Sequence, residues 1–216
     1  MKTIVIASQK GGSSKTTLVA HLAVAAEQNN ISPTVLIDMD PQSSLSSWWN
    51  VRENNMPALA VSNLKDLPEK IKALKEAGVK LLIIDTPPAI TDAIYEVVKL
   101  ADLVIVPTRP SPHDLRAIGS TIDIIQKVKC SFIFIITQAK PNTRLTIQTI
   151  ATLSEHGTVS PIIIHDRVDY ASSMIDGKTV METDKKGKSS QEIEKLLSFV
   201  LARFQNKMKN KKKEIL

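Results

Sequence analysis

The sequence lacks several features that mark whole classes of protein. Cys130 is the only cysteine among 216 residues, which excludes a disulfide within the chain and fits a reducing cytoplasm. No run of 18 apolar residues is present to cross a membrane, and strand-like sequence begins at Thr3, too early for a signal peptide. The four histidines and the cysteine show no metal-ligand spacing. We therefore expect a cytoplasmic protein without a transition-metal site held by its side chains.

Charge is concentrated near the end of the chain. Residues 1–177 hold 17 basic and 17 acidic side chains, whereas residues 178–213 hold 11 basic and 4 acidic ones. A basic run of this kind either forms a solvated surface or attracts the phosphate backbone of a nucleic acid. At 43% hydrophobic and 23% charged residues, the chain as a whole has the composition of one globular domain. The expected organisation is a domain over 1–206 and a basic tail over 207–216.

Short apolar runs alternate with helical patterns along the chain. The runs are rich in β-branched residues and apolar on both faces, as in parallel strands that are covered on each side. The alternation predicts an α/β fold with a doubly wound, mostly parallel sheet and helices on both faces. The phosphate-loop motif described in the next paragraph makes this fold one of the P-loop NTPase type. The runs are TIVIAS, TVLID, KLLIID, DLVIVP, SFIFIIT and PIIIH. The helical patterns lie near 15–30, 66–77, 91–100, 113–129, 142–157 and 190–209.

The stretch IVIASQKGGSSKTTL reads as a strand, a loop and the start of a helix. A standard phosphate loop would need glycine at positions 9 and 14, where this chain has Gln9 and Ser14. Gly11 and Gly12 still let the backbone approach an anion closely, and the following helix adds the positive end of its dipole. Lys15 would place a charge between terminal phosphates, and the pattern therefore predicts a polyphosphate site.

Acidic residues follow two of the predicted strands. Asp38 and Asp40 end TVLIDMD, and Asp85 ends KLLIID. One such aspartate would more often be a helix cap or a turn former. Two strand ends of this kind in a sheet with a phosphate loop favour a nucleotide site, because the carboxyl ends of parallel strands meet at one edge. We expect Thr16 to ligate Mg²⁺ directly and Asp85 to hold it through water.

Three segments together resemble a known family. KGGSSKTT, DMDPQSSL and LLIIDTPP are similar to the deviant Walker A, switch I and Walker B segments of the ParA/MinD family of ATPases. The late stretch DRVDYASSMIDGKTVME resembles the small ParA-type partition proteins, so the similarity covers nearly the whole chain. Ser14 departs from the glycine that is usual in the family, which would tighten the loop or slow turnover.

The resemblance implies a Mg²⁺-dependent ATPase that hydrolyses ATP to ADP and phosphate. In the family, the extra lysine matched by Lys10 reaches across a face-to-face homodimer that forms on ATP binding. Asp40 is our candidate for orienting the attacking water. Thr137, Gln138 and Arg167 are the expected adenine contacts. The residues expected around the phosphates are Gly11, Gly12, Ser13, Ser14, Lys15, Thr16 and Thr17.

The resemblance also implies partners and a biological role. ATP-bound dimers of the family bind double-stranded DNA non-specifically, and a ParB-type centromere-binding protein stimulates hydrolysis. The implied role is partition of a plasmid or chromosome by a nucleoid-associated protein. Lys185, Lys186 and Lys188 are the expected DNA contacts, since they precede the last helix in the basic region.

Two other functions fit the same motifs. A MinD-like membrane-cycling ATPase would need a C-terminal amphipathic helix, but the apolar stripe of the last predicted helix stops at Phe204. We therefore expect no stable membrane association. A weakly hydrolysing nucleotide-switch scaffold is the second alternative, which Ser14 suggests.

Overall fold

A sheet of parallel strands lies at the centre of the protein. The computed structural model describes residues 1–88 and 92–213, with side chains described for 1–88 and 93–205. The strands lie in the order β3-β2-β4-β1-β5-β6, and every neighbouring pair is parallel. The predicted α/β fold is confirmed. In chain order the strands are β1 Lys2–Ile6, β2 Thr34–Asp38, β3 Ala58–Leu59, β4 Leu81–Asp85, β5 Leu103–Thr108 and β6 Phe132–Ile136.

One predicted strand is wrong. The PIIIH run at 161–165 lies beside β6, but among the described residues it makes a single isolated bridge, between His165 and Ala139. Pro161 has no amide hydrogen to donate, and the Ser160 hydroxyl bonds the amide and carbonyl of Ile162, at 3.0 and 3.1 Å. These local bonds turn the backbone away from a regular ladder.

The predicted helices are present, with changes at their boundaries. The pattern over 113–129 divides at Ile118 into two helices, and the last helix continues to Lys213. Residues 214–216 of the expected tail lie outside the described residues. The sequence did not predict α2, α8 or α9, which are short. The helices are α1 Lys15–Gln28, α2 Ser44–Asn50, α3 Leu67–Glu76, α4 Asp92–Lys99, α5 Pro112–Ala117, α6 Gly119–Val128, α7 Arg144–Ser154, α8 Val168–Ile175, α9 Val180–Thr183 and α10 Lys188–Lys213.

Helices cover the sheet on both faces. Ile4 and Ile6 of β1 point to a core that includes residues of α1, α2, α9 and α10. Val5, between them, points to the opposite core, which includes residues of α3, α4, α6 and α7. Successive residues in the middle of the longer strands are therefore buried, which explains why these strands read as continuous apolar runs. In the part of the chain that the structure describes, no helix combines the length and the apolar character needed to span a membrane.

The parallel arrangement brings several strand ends to one edge. Ile6 pairs with Asp85, and Asp38 pairs with the same aspartate from the other side. The loop after β1 therefore lies next to the acidic ends of β4 and β2, where the sequence placed a nucleotide site.

A buried histidine anchors α1 in the core. His21 is fully buried, its ring lies edge-on to Tyr170 at 5.2 Å, and its Nδ1 donates to the Thr17 carbonyl at 2.8 Å. Burial lowers the pKa of His21 to about 4, against weaker opposing effects of the Thr17 bond and of Glu182. The ring is therefore neutral in the folded protein at neutral pH.

His21 is expected to make the protein sensitive to acid. Its pKa is lower in the folded than in the unfolded chain, so its contribution to stability is present above pH 6.5 and is lost as the pH falls toward 4. Between about pH 7.5 and about pH 4.5 the wild type should lose about 2 to 3 kcal/mol more free energy of unfolding than His21→Leu. Urea titrations of both proteins measure this difference. Parallel stability curves for the two proteins would contradict it.

Candidate nucleotide-binding site

The loop between β1 and α1 has the backbone expected of an anion-binding loop. Gly12 has a φ of 71° and Ser14 a φ of 70°, both in the left-handed region. Glycine adopts this conformation without strain, whereas for another residue it costs roughly 1–2 kcal/mol. The Ser14 hydroxyl accepts a hydrogen bond from Nε2 of Gln138 at 2.8 Å. Ser14 therefore replaces the usual glycine with some strain and with a new contact to the end of β6.

Lys15 is held inside the loop. Its side chain is buried, and its ammonium donates to the Lys10 carbonyl at 3.3 Å. The same carbonyl accepts a bond from the Ser13 hydroxyl at 3.0 Å. Burial lowers the pKa of Lys15, against the attraction of Asp85 and Asp40. The loop thus curls around a cation that a bound phosphate would stabilise.

Thr16 and Asp85 meet at the start of α1. The Thr16 hydroxyl donates to Oδ2 of Asp85 at 2.6 Å. Burial raises the pKa of Asp85 to about 7; the Thr16 bond lowers it, and the charge of Asp38 adds to the increase. Oδ1 of Asp85 is buried and has no hydrogen-bond partner among the described residues.

These oxygens fit a magnesium ion. A threonine hydroxyl and a carboxylate are hard ligands, and Mg²⁺ takes one or two such protein ligands while phosphates and water complete its shell. A cation with its bound water would also give the orphaned Oδ1 of Asp85 a partner and offset the burial of its charge. Thr16 and Asp85 are therefore the residues that would hold the ion.

The two aspartates after β2 have different environments. Asp38 accepts from the amide and the hydroxyl of Ser46, at 2.8 and 2.9 Å, and from the Asp40 amide at 3.0 Å. Both of its oxygens are thus used to hold the loop and the start of α2. Asp40 accepts from the Gln42 amide through Oδ1, at 3.0 Å, while its Oδ2 makes no hydrogen bond with any described residue. Asp40 is the member of the pair with an oxygen available to a ligand.

Lys10 has the freedom that a reaching side chain needs. Its backbone is fixed by the two bonds to its carbonyl, but its ammonium makes no hydrogen bond or ion pair with the residues that the structure describes. Gly11 and Gly12 next to it are exposed. Its action across a dimer stays a prediction.

The expected adenine contacts have other partners. The Thr137 hydroxyl donates to the Ser13 carbonyl at 3.2 Å, and Gln138 donates to the Gly12 carbonyl at 2.7 Å. Both residues support the phosphate loop from the end of β6. Arg167 donates through Nη2 to Glu192 of α10 at 2.8 Å. Contact of these three residues with adenine stays a prediction.

Sequence reasoning missed one basic residue at the same edge. Arg109 follows β5, and its guanidinium pairs with Asp114 of α5 at 2.9 Å. A Cβ placed on Gly12 would lie 3.6 Å from Nη1 of Arg109, so this arginine adjoins the phosphate loop. Its position just after an apolar strand is the signal that could have identified it.

The three expected DNA-binding lysines lie together on the surface. Lys185 and Lys186 are exposed in the connection between α9 and α10, and Lys188 is the exposed first residue of α10. The Lys186 amide donates to Asp184 at 3.2 Å, which helps to fix the backbone of this connection.

Helix α2 links the nucleotide edge to the segment before these lysines. Its start is held by Asp38, and Nε1 of Trp48 donates to the Lys178 carbonyl at 3.0 Å. Just after α2, Arg52 is almost completely buried and pairs with Glu182 of α9 at 2.9 Å. A buried ion pair in this position ties the two segments firmly, since breaking one side leaves an unpaired charge.

Comparison with known proteins matches almost the whole chain to one family and one fold. Residues 4–215 match the family described as the CobQ/CobB/MinD/ParA nucleotide binding domain. The chain is 27% identical to "Maintenance of carboxysome distribution protein A" of Halothiobacillus neapolitanus, across 92% of this chain and 96% of the relative. It is 25% identical to "Protein ParA" of Rhizobium radiobacter, across 94% and 96%. It is 23% identical to "Chromosome-partitioning ATPase Soj" of Thermus thermophilus, across 95% and 97%.

Solved structures share the fold at lower identity. The MinC:MinD cell division complex of Aquifex aeolicus superposes with a TM-score of 0.79 and 17% identity, covering 94% of this chain and 96% of that one. Apo McdA of Cyanothece gives a TM-score of 0.77 and 20% identity, with coverages of 93% and 99%. MinD of Pyrococcus horikoshii with Mg-ADP gives 0.74 and 20%, with coverages of 92% and 95%. The family match confirms the predicted resemblance, and the solved structures confirm the fold.

Proposed function

Because the chain belongs to the CobQ/CobB/MinD/ParA nucleotide-binding family, we propose that it is an ATPase that forms an ATP-dependent sandwich dimer. In this proposal the dimer binds DNA non-specifically and drives partition of a cargo. Hydrolysis of ATP to ADP and phosphate ends each cycle, stimulated by a ParB-type partner.

The observation that carries the proposal is the convergence of three side chains on one loop. Lys15 lies inside the loop, while Thr16 and Asp85 meet at 2.6 Å beside it with one buried carboxylate oxygen unpartnered. This combination suits a nucleoside triphosphate with Mg²⁺. Relatives support the choice, since one is named an ATPase and one structural neighbour holds Mg-ADP.

Each residue has a distinct role in this proposal. Lys15 and the loop amides bind the phosphates of their own subunit, and Thr16 and Asp85 hold the magnesium ion, Asp85 through water. The ion would neutralise charge on the phosphates during transfer. Asp40 orients the attacking water through its unpaired oxygen. Lys10 reaches the nucleotide of the facing subunit, in the manner of an arginine finger.

Phosphate release from Mg-ATP tests the proposal. The wild type should release phosphate slowly on its own and faster with duplex DNA and its partner, and Asp40→Ala should release it at least about 100-fold more slowly than the wild type. A wild type that binds ATP and dimerises, yet releases no phosphate under single-turnover conditions, would instead be a nucleotide-switch scaffold.

The basic surface supports the DNA-binding part of the proposal. Lys185, Lys186 and Lys188 are exposed on one chain segment, and a dimer would present two such segments to one duplex. Phosphate contacts are individually weak and independent of sequence, but two linked patches bind through effective concentration. Separation of the subunits after hydrolysis would then release the DNA.

Replacing Lys185, Lys186 and Lys188 together by alanine should weaken ATP-dependent binding to unrelated duplexes by equal factors. The slope of log affinity against log salt should flatten by about one unit for each DNA phosphate that the variant no longer neutralises. Fluorescence anisotropy across a salt series measures both quantities. The matched control replaces Lys65, Lys72 and Lys75, which are exposed near or on α3. If the control weakens binding and the first variant does not, the DNA is bound by another surface.

The cargo has a second candidate. A relative named for carboxysome distribution aligns over 92% of this chain, which favours positioning of a protein assembly as an alternative to partition of DNA. Deletion of the gene should cause plasmid or chromosome loss if the cargo is DNA. Mislocalised protein assemblies with normal DNA inheritance would indicate the alternative.

The proposed location is the cytoplasm, in association with the nucleoid. A MinD-like membrane cycle is the rival, because MinD structures share the fold. Co-sedimentation with liposomes in the presence of ATP separates the two: the proposal expects the protein to stay in the supernatant.

A further inference from the structure

Arg109 is held in a fixed orientation beside the phosphate loop. It follows the last residue of β5, at the edge where the ends of β1 and β4 also lie. Nε and Nη2 of its guanidinium donate to the carboxylate of Asp114, at 2.9 and 3.0 Å. Asp114 is almost completely buried, and one of its oxygens lies 3.4 Å from the Arg109 amide as well.

The pairing of Nε and Nη2 with Asp114 leaves the third guanidinium nitrogen, Nη1, on the side of the phosphate loop. Nη1 makes no hydrogen bond with the residues that the structure describes, and a Cβ on Gly12 would lie 3.6 Å from it. Gly12 itself is exposed and has a left-handed backbone. Nη1 of Arg109 therefore lies directly beside an exposed residue of the phosphate loop.

The other side of Gly12 is already held. Gln138 donates to its carbonyl at 2.7 Å, and Thr137 donates to the next carbonyl, that of Ser13, at 3.2 Å. Arg109 is thus not required to fix the loop through a hydrogen bond. The free N–H groups of its Nη1 lie beside Gly12 of the phosphate loop and are available to a phosphate oxygen, which a guanidinium binds well.

We propose that Arg109 is a phosphate-contacting residue, which donates from Nη1 to the terminal phosphate of the triphosphate bound in its own subunit. Asp114 acts as a positioning residue that holds the guanidinium in this orientation. The inference rests on the proposed nucleotide site and deepens it: Arg109 adds a contact that distinguishes a triphosphate from a diphosphate.

The test compares two nucleotides in the same variants. A hydrogen bond to a charged group contributes roughly 1.5–3 kcal/mol, so Arg109→Gln should weaken Mg-AMPPNP binding by about tenfold to 100-fold. Binding of Mg-ADP should change by less than about threefold, because the contacted phosphate is absent. Asp114→Asn keeps the shape of the side chain and should reduce AMPPNP affinity selectively, by a smaller factor. Isothermal titration calorimetry on each full-length variant gives these affinities.

Arg116 provides the matched control. It is exposed on α5 and forms no ion pair with a described residue, so Arg116→Gln removes the same charge without removing the proposed contact. It should leave both affinities unchanged.

Three results would overturn the inference. Equal loss of AMPPNP and ADP affinity in Arg109→Gln would show that the arginine only braces the loop. Unchanged AMPPNP affinity would show that it does not contact the phosphate. Loss confined to dimer formation, with normal affinity in the monomer, would place the contact on the facing subunit. A wild type that binds neither nucleotide would contradict the proposed function itself.

Discussion

Lys10→Ala is expected to abolish both the ATP-dependent dimer and turnover, while the monomer still binds ATP with nearly wild-type affinity. The Lys10 ammonium has no partner among the described side chains, whereas its carbonyl, which alanine retains, holds Ser13 and Lys15. Sedimentation velocity with Mg-ATP measures the dimer, and titration calorimetry measures nucleotide affinity. A Lys10→Ala protein that dimerises and hydrolyses ATP normally would refute the action across the dimer.

Lys15→Ala serves as the contrasting variant. It removes the buried ammonium of the same loop and should lower ATP affinity itself by at least about tenfold, since a charged hydrogen bond contributes roughly 1.5–3 kcal/mol. Lys140→Ala is the control, because Lys140 is an exposed lysine outside the loop. It should change neither the dimer nor the affinity.

The second large effect separates Asp40 from Asp85. Asp40→Ala should still bind Mg-ATP and dimerise, yet its turnover should fall by about 100-fold to 10,000-fold, the usual contribution of a group that assists proton transfer. Its Oδ2 is unpartnered within the described structure, whereas Asp38 uses both oxygens to hold the loop. The Asp40→Ala dimer should therefore stay on DNA.

Asp85→Ala should instead weaken the Mg²⁺-dependent part of nucleotide binding. Its carboxylate is buried next to Thr16, where an ion would compensate its charge. Titration of nucleotide with and without Mg²⁺, followed by phosphate release, measures both effects. Asp123→Ala, at an exposed site on α6, controls for loss of charge. Identical behaviour of Asp40→Ala and Asp85→Ala would contradict the division of roles.

The sequence predicted those parts of the fold that depend on local pattern. Strands buried on both faces read as continuous apolar runs, and five of the six predicted runs are strands. The exception, PIIIH, has the right composition, but Pro161 and the Ser160 hydroxyl interrupt the ladder. Strand β3 has two residues, too few for any period to appear.

In the candidate site too, the sequence predicted the residues that belong to a local motif and missed those that meet only in the folded chain. Lys15 and Thr16 could be selected because the phosphate loop is contiguous in sequence, and Asp85 because it ends an apolar strand. Gln138, which supports that loop, could not be selected from the sequence. Gln138 and Gly12 are 126 residues apart and meet only because of the order of the strands. Arg109 directly follows an apolar strand, which is a local signal, but its nearness to Gly12 likewise depends on the order of the strands.

The connection from the nucleotide edge to the basic surface also depends on tertiary packing. Arg52 and Glu182 are 130 residues apart, and nothing in their local sequence indicates a buried pair. Together with the bond from Trp48 to Lys178, this pair gives α2 fixed contacts with the segment that precedes the exposed lysines.

Binding of the wild type to a labelled DNA duplex of arbitrary sequence, compared between Mg-ATP and Mg-ADP, tests the proposed function most directly. Fluorescence anisotropy should show salt-sensitive binding with Mg-ATP and little binding with Mg-ADP, because only the ATP dimer joins two basic patches on one duplex. Equal affinity in the two nucleotides would contradict the proposed nucleotide switch.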